Sequence, residues 1–205
     1  MNSSYVIALA GNPNCGKTTI FNALTGGTQR IGNWPGVTVE KKEGWIKNRK
    51  TIKVVDLPGI YSFSASSEDE KAARDFLLSG EPNLAVNIVD ASHLERNLYL
   101  TVNLIEMGMP TIVLLNMMDL AEKDGVRIDA DKLSRALGVP VIPVTATDKG
   151  SAAAAAQHIV DLCDAGVASS TLYPEYPNEV EDLLVSWTEK TGSRWKAVSL
   201  FEGTL

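Results

Sequence analysis

A glycine-rich stretch, Gly11 to Thr18, has the residue types and the spacing of a phosphate-binding loop. It fits the pattern G-x-x-x-x-G-K-[ST], in which Lys17 is the lysine and Thr18 is the hydroxyl residue. In such a loop the backbone N–H groups point inward at phosphate oxygens, and the start of the next helix adds the positive end of its dipole. The lysine supplies a point charge, and the hydroxyl can bind Mg²⁺. The stretch therefore predicts a site for the phosphates of a nucleotide.

A second motif with metal and phosphate chemistry is D-x-x-G, formed by Asp56 and Gly59. A carboxylate at the end of a strand beside a phosphate loop can hold Mg²⁺ through water, and the Gly59 N–H can meet a γ-phosphate. Alone, the motif is more often an ordinary turn, but its position at a strand end after the phosphate loop favours the metal site. Thr38 lies between the two motifs and can complete the Mg²⁺ coordination when its loop closes. The alternative for Thr38 is an ordinary threonine at a strand start.

Two further segments at strand ends have the chemistry to select a base. In the run Asn116-Met117-Met118-Asp119, the Asp119 carboxylate can accept from N1–H and N2–H₂ of guanine, and adenine presents no such pair of donors. Asn116 can tie this loop together. In Val144-Thr145-Ala146-Thr147, the Ala146 N–H can be directed at guanine O6. The tetrapeptide around Asp119 alone would also suit a helix N-cap, so its position after a buried strand carries the prediction.

These motifs need a sheet whose strands end at one common edge. Short apolar runs alternate with helical patterns, which is typical of an α/β fold with a mostly parallel sheet and helices on both faces. We predict six strands, at 5–10, 38–46, 51–56, 84–90, 111–116 and 140–145, and helices at 17–25, 68–79, 95–107, 129–137 and 151–164. The polar turn at 47–50 predicts a hairpin, so one strand of the sheet should be antiparallel.

Composition limits the class of protein. The 205 residues are 44% hydrophobic and 21% charged, which suits one full domain with a small appendage. A net charge of −6 argues against sequence-independent nucleic-acid binding, which needs clustered Lys and Arg. No apolar run approaches the ~20 residues that span a bilayer, and the N-terminus lacks a signal-peptide pattern. We therefore expect this chain itself to be soluble and cytosolic.

A change of composition at residues 166–170 marks a boundary in the chain. The run Gly-Val-Ala-Ser-Ser predicts a flexible linker, and Pro174 and Pro177 follow it. From Asn178 onward the apolar residues return to helical spacing, which predicts a short, truncated C-terminal helical segment. We therefore divide the chain into a nucleotide-binding domain at 1–165 and a linker with a partial helical domain at 166–205.

The five motifs, in this order and at this spacing, are those of a small P-loop GTPase-type domain. The chain also resembles a narrower family, the N-terminal GTP-binding domain of FeoB, the bacterial ferrous iron transporter. The stretches that carry this resemblance are Gly11 to Asn14, Gly32 to Glu40, Asp56 to Ser62 and Asp90 to Leu100. The tail, with Arg194-Trp195, is similar to part of the helical domain that follows in that family.

This resemblance implies a domain at the cytoplasmic face of the bacterial inner membrane that slowly hydrolyses GTP and so regulates or gates iron transport. The implied partners are GTP, GDP and the transmembrane portion of the same transporter, through which a homo-oligomer can form. Nucleic acid is not among the expected partners. Mg²⁺ is the first implied cofactor, and its expected ligands are Thr18, Thr38 and Asp56.

K⁺ is the second cofactor that the resemblance implies. Asn14 matches the asparagine with which similar potassium-activated GTPases bind K⁺ beside the phosphates, and the backbone carbonyls of residues 31–34 would be the other ligands. The alternative is that Asn14 only stabilises the turn of the phosphate loop. The sequence by itself leaves both roles open.

Three residues depart from the common patterns. Cys15 stands where the family commonly has Ser, which leaves phosphate binding by the backbone intact. Met117 stands where most GTPases outside the family have Lys, so we expect weaker nucleotide affinity and faster exchange. Ile60 stands where many GTPases have a water-positioning Gln, so we expect slow hydrolysis and a water held by backbone groups of the mobile loops, with Thr38 contributing.

The complete predicted site combines these assignments. Lys17, Thr38 and Gly59 are the predicted catalytic residues. The predicted nucleotide contacts come from four segments: Gly11, Asn12, Pro13, Asn14, Cys15, Gly16, Lys17, Thr18 and Thr19; Asp56 and Gly59; Asn116, Met117 and Asp119; Thr145, Ala146 and Thr147.

Two other functions remain open at this point. One is a soluble potassium-dependent GTPase of ribosome assembly or tRNA modification, which the lack of a basic patch with aromatic residues in the sequence disfavours. The other is a guanine-nucleotide sensor that does not hydrolyse GTP, which measurable phosphate release would exclude.

Overall fold

The fold is built on a twisted sheet of seven strands in the order β2-β3-β4-β1-β5-β6-β7. A computed structural model describes residues 5–64 and 67–204. The strands are β1 (Tyr5–Gly11), β2 (Gln29–Asn33), β3 (Glu40–Ile46), β4 (Arg49–Asp56), β5 (Leu84–Asp90), β6 (Thr111–Asn116) and β7 (Val141–Pro143). β1 is parallel to β4 and β5, and β6 is parallel to β5 and β7. β3 is antiparallel to both of its neighbours, so it alone runs against the other strands of the described sheet.

Eight α-helices surround this sheet in the described ranges. They are α1 (Lys17–Thr25), α2 (Glu68–Leu78), α3 (Leu94–Glu106), α4 (Met118–Lys123), α5 (Ala130–Leu137), α6 (Lys149–Ala165), α7 (Asn178–Thr191) and α8 (Arg194–Glu202). Four of them begin at a Ser or Asp whose side chain accepts a backbone N–H of the first turn, which satisfies one otherwise unpaired donor. No helix in these ranges combines the length and the apolar character needed to cross a membrane.

The hydrophobic core lies on both faces of the sheet, because alternate residues of each central strand point to opposite sides. In β1, Ile7 and Leu9 pack with residues of α1 and α6 on one face. Val6 and Ala8 pack with residues of α2 and α3 on the other face. All of β6 and nearly all of β5 are buried, which explains why both strands consist mostly of apolar residues. The predicted α/β fold with helices on both faces is confirmed.

The structure differs from the sequence prediction in two elements and in the extent of two strands. β2 was not predicted, because all five of its residues are exposed and its sequence, Gln-Arg-Ile-Gly-Asn, has no apolar alternation. The sheet therefore has seven strands rather than six. The short helix α4 was also missed, since six residues are too few for a periodic signal. Two predicted strands are shorter than expected, because β3 begins only at Glu40 and β7 ends at Pro143.

The C-terminal segment contains two helices that pack on each other and on the sheet's helical layer. Residues 166–177 form no helix or strand, and α7 and α8 follow. Trp195 of α8 is buried in the same apolar cluster as Leu100 and Leu104 of α3. Next to this contact, the Tyr176 hydroxyl donates to Oε1 of the buried Glu106, at 3.1 Å. The segment is therefore attached to α3 by apolar and polar contacts, while its status as a separate domain remains a proposal.

Candidate functional site

The loop between β1 and α1 surrounds a cavity of about 480 Å³ at the carboxyl edge of the sheet. Asn14 and Gly16 adopt left-handed backbone conformations, with φ of 65° and 94°, and so curl the loop around this space. Gly16 is required for a second reason: a Cβ atom there would lie 2.4 Å from Nδ2 of Asn116. The cavity is lined by Asn12, Pro13, Asn14, Gly16, Lys17, Thr18, Thr19 and Gly59. Two of the predicted motifs thus meet in one cavity.

Lys17 and Asp56 are in direct contact beside this cavity. Nζ of Lys17 lies 2.6 Å from Oδ1 of Asp56, and the two side chains are only 12% and 8% exposed. The contact follows from the sheet, because β1 pairs with β4 and places Asp56 opposite Leu9, just before the phosphate loop. Burial raises the pKa of Asp56, and the Lys17 ammonium opposes this shift. The predicted phosphate-binding cation and the predicted metal-binding carboxylate therefore occupy the same corner of the site.

The D-x-x-G segment folds directly against the phosphate loop. The Ile60 N–H donates to the Gly11 carbonyl at 3.3 Å. A Cβ atom on Gly59 would approach the Cα of Pro13 to 3.2 Å, so a larger residue there would push the two segments apart. Ile60 is only 2% exposed and packs in the core. Its side chain therefore fixes the segment and does not reach solvent.

Asn116 connects the phosphate loop to the predicted base loop. Its Nδ2 donates to the Cys15 carbonyl at 2.9 Å, and its Oδ1 accepts the Ala146 N–H at 3.0 Å. Asp119 lies exposed in the first turn of α4, after Met117 has turned the chain through a left-handed conformation with φ of 62°. The Ala146 N–H, which we expected to be directed at guanine O6, is thus engaged by Asn116 in this structure. Its contact with a base stays a prediction.

Thr38 does not line the phosphate cavity in this structure. Its Oγ1 lies 3.4 Å from Oε2 of Glu68, in the first turn of α2. The same loop is held on α2 by Trp34, which is 4% exposed and makes an edge-to-face contact with Phe76 at 5.1 Å between ring centroids. Lys41 Nζ lies 4.9 Å from the centroid of the Trp34 ring. Of the three predicted Mg²⁺ ligands, Thr18 therefore lines the phosphate cavity, Asp56 contacts Lys17 beside it, and Thr38 lies against Glu68 instead.

Sequence reasoning did not find Glu68 or Phe76 as partners of the Thr38 loop. The start of α2 was detectable, since Ser67 accepts the Glu70 N–H at 3.1 Å in a Ser-x-x-Glu capping pattern. Nothing in the sequence indicates which side chain of that helix faces Thr38.

The run Asp90-Ala91-Ser92-His93 forms a closed turn at the end of β5. Oδ1 of Asp90 accepts the Ser92 N–H at 2.9 Å, and Oδ2 lies 3.0 Å from Nδ1 of His93. Partial burial opposes ionisation of Asp90, but the hydrogen bonds from Ser92 and His93 outweigh it and lower its pKa. Asn97 closes the turn by accepting the Asp90 N–H at 3.3 Å. This stretch of the resemblance therefore shapes the connection to α3.

Comparison with known proteins identifies the family. The family model described as ferrous iron transport protein B matches residues 5–159. The chain belongs to this FeoB family. Among curated relatives, the Fe(2+) transporter FeoB of Escherichia coli (strain K12) is 46% identical over 209 residues, which is 97% of this chain but 27% of that protein. The FeoB of Salmonella choleraesuis is 57% identical over 146 residues, or 69% of this chain and 19% of that protein. The chain thus spans about a quarter of the curated relatives it matches.

Solved structures of FeoB domains agree with this assignment. A point mutant of S. thermophilus NFeoB bound to mGDP has a TM-score of 0.89 and 44% identity, and the match covers 98% of this chain and 80% of that one. Another mutant of the same protein, bound to GDP.AlF4−, has a TM-score of 0.81 and 44% identity, with coverage of 98% and 80%. The cytosolic domain of L. pneumophila FeoB has a TM-score of 0.84 and 39% identity, with coverage of 97% and 88%. The resemblance inferred from the sequence is confirmed.

Proposed function

We propose that this FeoB chain binds GTP, hydrolyses it slowly with Mg²⁺ and K⁺, and thereby regulates or gates a ferrous iron transporter at the cytoplasmic face of the inner membrane. The observation that carries the proposal is the double hydrogen bond of Asn116, which joins the phosphate loop at Cys15 to the base loop at Ala146. These two bonds support the proposal because they join the phosphate loop to the segment that we propose contacts the base. The complexes of S. thermophilus NFeoB with mGDP and with GDP.AlF4− support this reading.

The phosphates of GTP are bound by the backbone N–H groups of residues 12–18 and by Lys17. On binding, Lys17 exchanges its contact with Asp56 for phosphate oxygens. The base lies against Met117, and Asp119 accepts its N1–H and N2–H₂ donors. Thr145, Ala146 and Thr147 form the rim on the far side of the base.

The residues beside the phosphate cavity fit Mg²⁺. Mg²⁺ prefers hard oxygen ligands and keeps several waters, and the Thr18 hydroxyl and the Asp56 carboxylate are oxygen donors of that kind. Asp56 is buried and its hydrogen bond in this structure is to Lys17, which phosphate binding would draw away. Bound Mg²⁺ supplies neutralisation of the charge that develops on the β- and γ-phosphate oxygens.

Hydrolysis requires a rearrangement of the loop at residues 34–39. Thr38 must leave Glu68 to reach the metal. We expect Trp34, which precedes Thr38 in the same loop, to leave its contact with Phe76 in the same movement. Gly59 already lies next to Pro13, so its N–H needs little movement to meet the γ-phosphate. Water must be held by backbone groups, since the buried Ile60 offers no hydrogen bond. For this reason we expect a slow intrinsic rate of hydrolysis.

K⁺ activation is supported by the position of Asn14. This residue lines the phosphate cavity and is exposed. Its side chain makes no hydrogen bond within the described residues, so its amide oxygen can bind a cation without breaking one. The other expected ligands are the backbone carbonyls of residues 31–34, which lie in β2 and at Trp34. None of these residues lines the phosphate cavity in this structure, so the K⁺ site would be complete only after this segment moves. Together with Asn14 they would place a positive charge beside the phosphates.

Base selection by Asp119 gives a direct test of the nucleotide assignment. Replacing Asp119 with Asn removes an acceptor of two donors, so the affinity for GDP should fall at least tenfold, as expected for the loss of charge-assisted hydrogen bonds of about 1.5–3 kcal/mol each. The affinity for xanthosine diphosphate, which carries an oxygen at C2, should rise. Competition against a fluorescent GDP measures both, with the exposed Asp182→Asn on α7 as the control. Unchanged affinities for GDP and xanthosine diphosphate in Asp119→Asn would refute the assignment.

A further inference from the structure

The strand β2 forms an open edge of the sheet. It stands last in the strand order, all five of its residues are exposed, and Ile31 reaches 61% exposure. Natural proteins usually cover or blunt such an edge, because its unpaired backbone groups can pair with another chain. Within the described residues, residues 29–33 make no hydrogen bond outside the β2–β3 ladder. The outer edge of β2 is therefore free to pair with a further strand.

The register identifies which backbone groups face outward. Trp34 lies opposite Val39, and its N–H donates to the Val39 carbonyl at 2.9 Å, in continuation of the β2–β3 pairing. Hydrogen-bonded positions alternate along an antiparallel pair, so Gly32 and Arg30 also bond to β3. The N–H and C=O groups of Gln29, Ile31 and Asn33 consequently point away from the sheet. They offer donors and acceptors at the spacing that an added strand needs.

A basic groove lies beside this edge. It has a volume of about 640 Å³, and its charged lining residues in the described chain are Arg30, Lys47 and Lys50, with no acidic residue among them. The Arg30 guanidinium stacks over Trp45 at 5.1 Å from the ring centroid. The cross-strand partner of Arg30 is Glu43, whose carboxylate pairs with Lys53 at 2.6 Å. Burial opposes ionisation of Glu43, but Lys53 and, more weakly, Arg30 lower its pKa, so Glu43 offsets part of the charge of Arg30. Lys47 and Lys50 form no ion pair in the described ranges.

The sequence alone did not reveal this basic groove, because its lining residues come mainly from β2, β3, the turn after β3 and the start of β4. They assemble only when the antiparallel pairing of β2 with β3 is formed. The basic groove is also opposite in sign to the chain as a whole, which carries a net charge of −6. A cluster of positively charged side chains on a chain of negative net charge favours an anionic partner at that cluster.

We propose that the β2 edge and the basic groove form one docking surface for an acidic, extended polypeptide segment, which adds to the sheet as an eighth strand. Main-chain hydrogen bonds to Gln29, Ile31 and Asn33 would give affinity, and acidic side chains in the groove would give selectivity. A membrane surface fits less well, since Ile31 is the large apolar residue exposed on this strand and the cations lie in a concave groove. Nucleic acid would use the cations but leave the outward N–H and C=O groups unused.

The test is direct binding of a short fluorescein-labelled peptide of alternating Glu and Thr to the whole chain, followed by fluorescence anisotropy. A peptide of the same sequence that is N-methylated at alternate residues keeps the charge but cannot pair as a strand, and it should bind at least roughly tenfold more weakly. Hydrogen exchange followed by NMR should show protection of the Gln29, Ile31 and Asn33 amides only when the unmodified peptide is present. None of these measurements requires GTP hydrolysis. They would therefore test the docking surface even if the proposed GTPase function were wrong.

Two variants separate the two parts of the surface. The double variant Lys47→Glu, Lys50→Glu should weaken binding roughly tenfold or more, whereas Lys190→Glu on α7 should not. Ile31→Pro removes one outward N–H at a position that does not bond to β3, so the sheet should persist while binding falls. Equal binding of both peptides, or unprotected amides, would overturn the proposal. The proposal would also be wrong if the peptide did not bind while anionic vesicles or single-stranded RNA did. If that binding depended on Lys47 and Lys50, the groove would be assigned to those partners.

Discussion

Lys17 and Asp56 are joined by an ion pair of 2.6 Å, although they belong to different motifs of the nucleotide site. The pair exists because β1 and β4 are parallel neighbours that end at the same edge of the sheet. Under the proposed function each residue serves a different part of the ligand, since Lys17 would bind phosphate and Asp56 would bind Mg²⁺ through water. Nucleotide binding would then replace one internal pair with two interactions to the ligand. We expect this exchange to link phosphate binding to metal binding.

Replacing Asp56 with Asn should separate metal binding from nucleotide binding. The amide has the same shape but no charge, so the apparent Mg²⁺ affinity in GTP hydrolysis should fall roughly 10–100-fold. Binding of GDP without Mg²⁺ should remain, because Lys17 no longer has to leave a carboxylate. A Mg²⁺ titration of phosphate release, with Asp182→Asn as the control, measures the first effect. The same Mg²⁺ dependence in Asp56→Asn and wild type would exclude Asp56 from the metal site.

Trp34 should report the movement that brings Thr38 to the metal. In this structure its ring is buried against Phe76, so its emission should shift to longer wavelength when a GTP analogue with Mg²⁺ draws the loop away. The chain has four tryptophans, so the signal is obtained as the difference between wild type and Trp34→Phe. Trp45→Phe is the matched control and should retain the shift. If Trp34→Phe shows the same shift as wild type, the ring does not leave α2.

The contact between Glu106 and Tyr176 should make stability depend on pH. Burial raises the pKa of Glu106 above its ordinary value of 4.5, although Tyr176 and Arg194 oppose the shift. The folded chain therefore holds this proton more tightly than the unfolded chain does. Its contribution to stability is fully present below pH 4.5 and is lost as the pH rises through the raised folded pKa.

Glu106→Gln tests this directly, because the amide still accepts from the Tyr176 hydroxyl but cannot ionise. The free energy of unfolding, measured in urea from pH 4.5 to neutral, should fall with pH more steeply in wild type than in Glu106→Gln. At neutral pH the variant should be the more stable protein. Glu189→Gln, at an exposed position of α7, controls for the change in net charge. Parallel pH profiles of Glu106→Gln and wild type would show that Glu106 does not titrate in this range.

The parts of the fold that the sequence predicts are those with a local signal. β5 and β6 were predicted because strands buried on both faces are mostly apolar, and the motifs were predicted because each lies at the end of a predicted strand. β2 has no such signal, since its conformation is fixed by pairing with β3 and not by burial of its side chains. In the candidate site, too, local motifs were predictable and contacts between separate segments were not. The position of Asn116 was predictable from its motif, but its bond to the Ala146 N–H depends on how two separate loops pack.

Contacts between residues far apart in the chain were beyond sequence reasoning. Thr38 meets Glu68, and Glu106 meets Tyr176, only because helices pack in a particular rotation against the sheet. Neither acidic residue lies in a recognisable pattern with its partner. The basic groove at Arg30, Lys47 and Lys50 was missed for the same reason, because its charges are dispersed until the hairpin forms.

The most direct test of the account is steady-state phosphate release from GTP with Mg²⁺, in matched KCl and NaCl buffers, for the wild-type chain and Asn14→Ala. We predict slow release by wild type that KCl accelerates, and no acceleration in Asn14→Ala, because that variant lacks the side-chain ligand for K⁺. Equal slow rates in both salts would remove the potassium role and leave a weak intrinsic GTPase. No release above buffer, despite binding of GTP, would contradict the central claim and identify the chain as a nucleotide sensor.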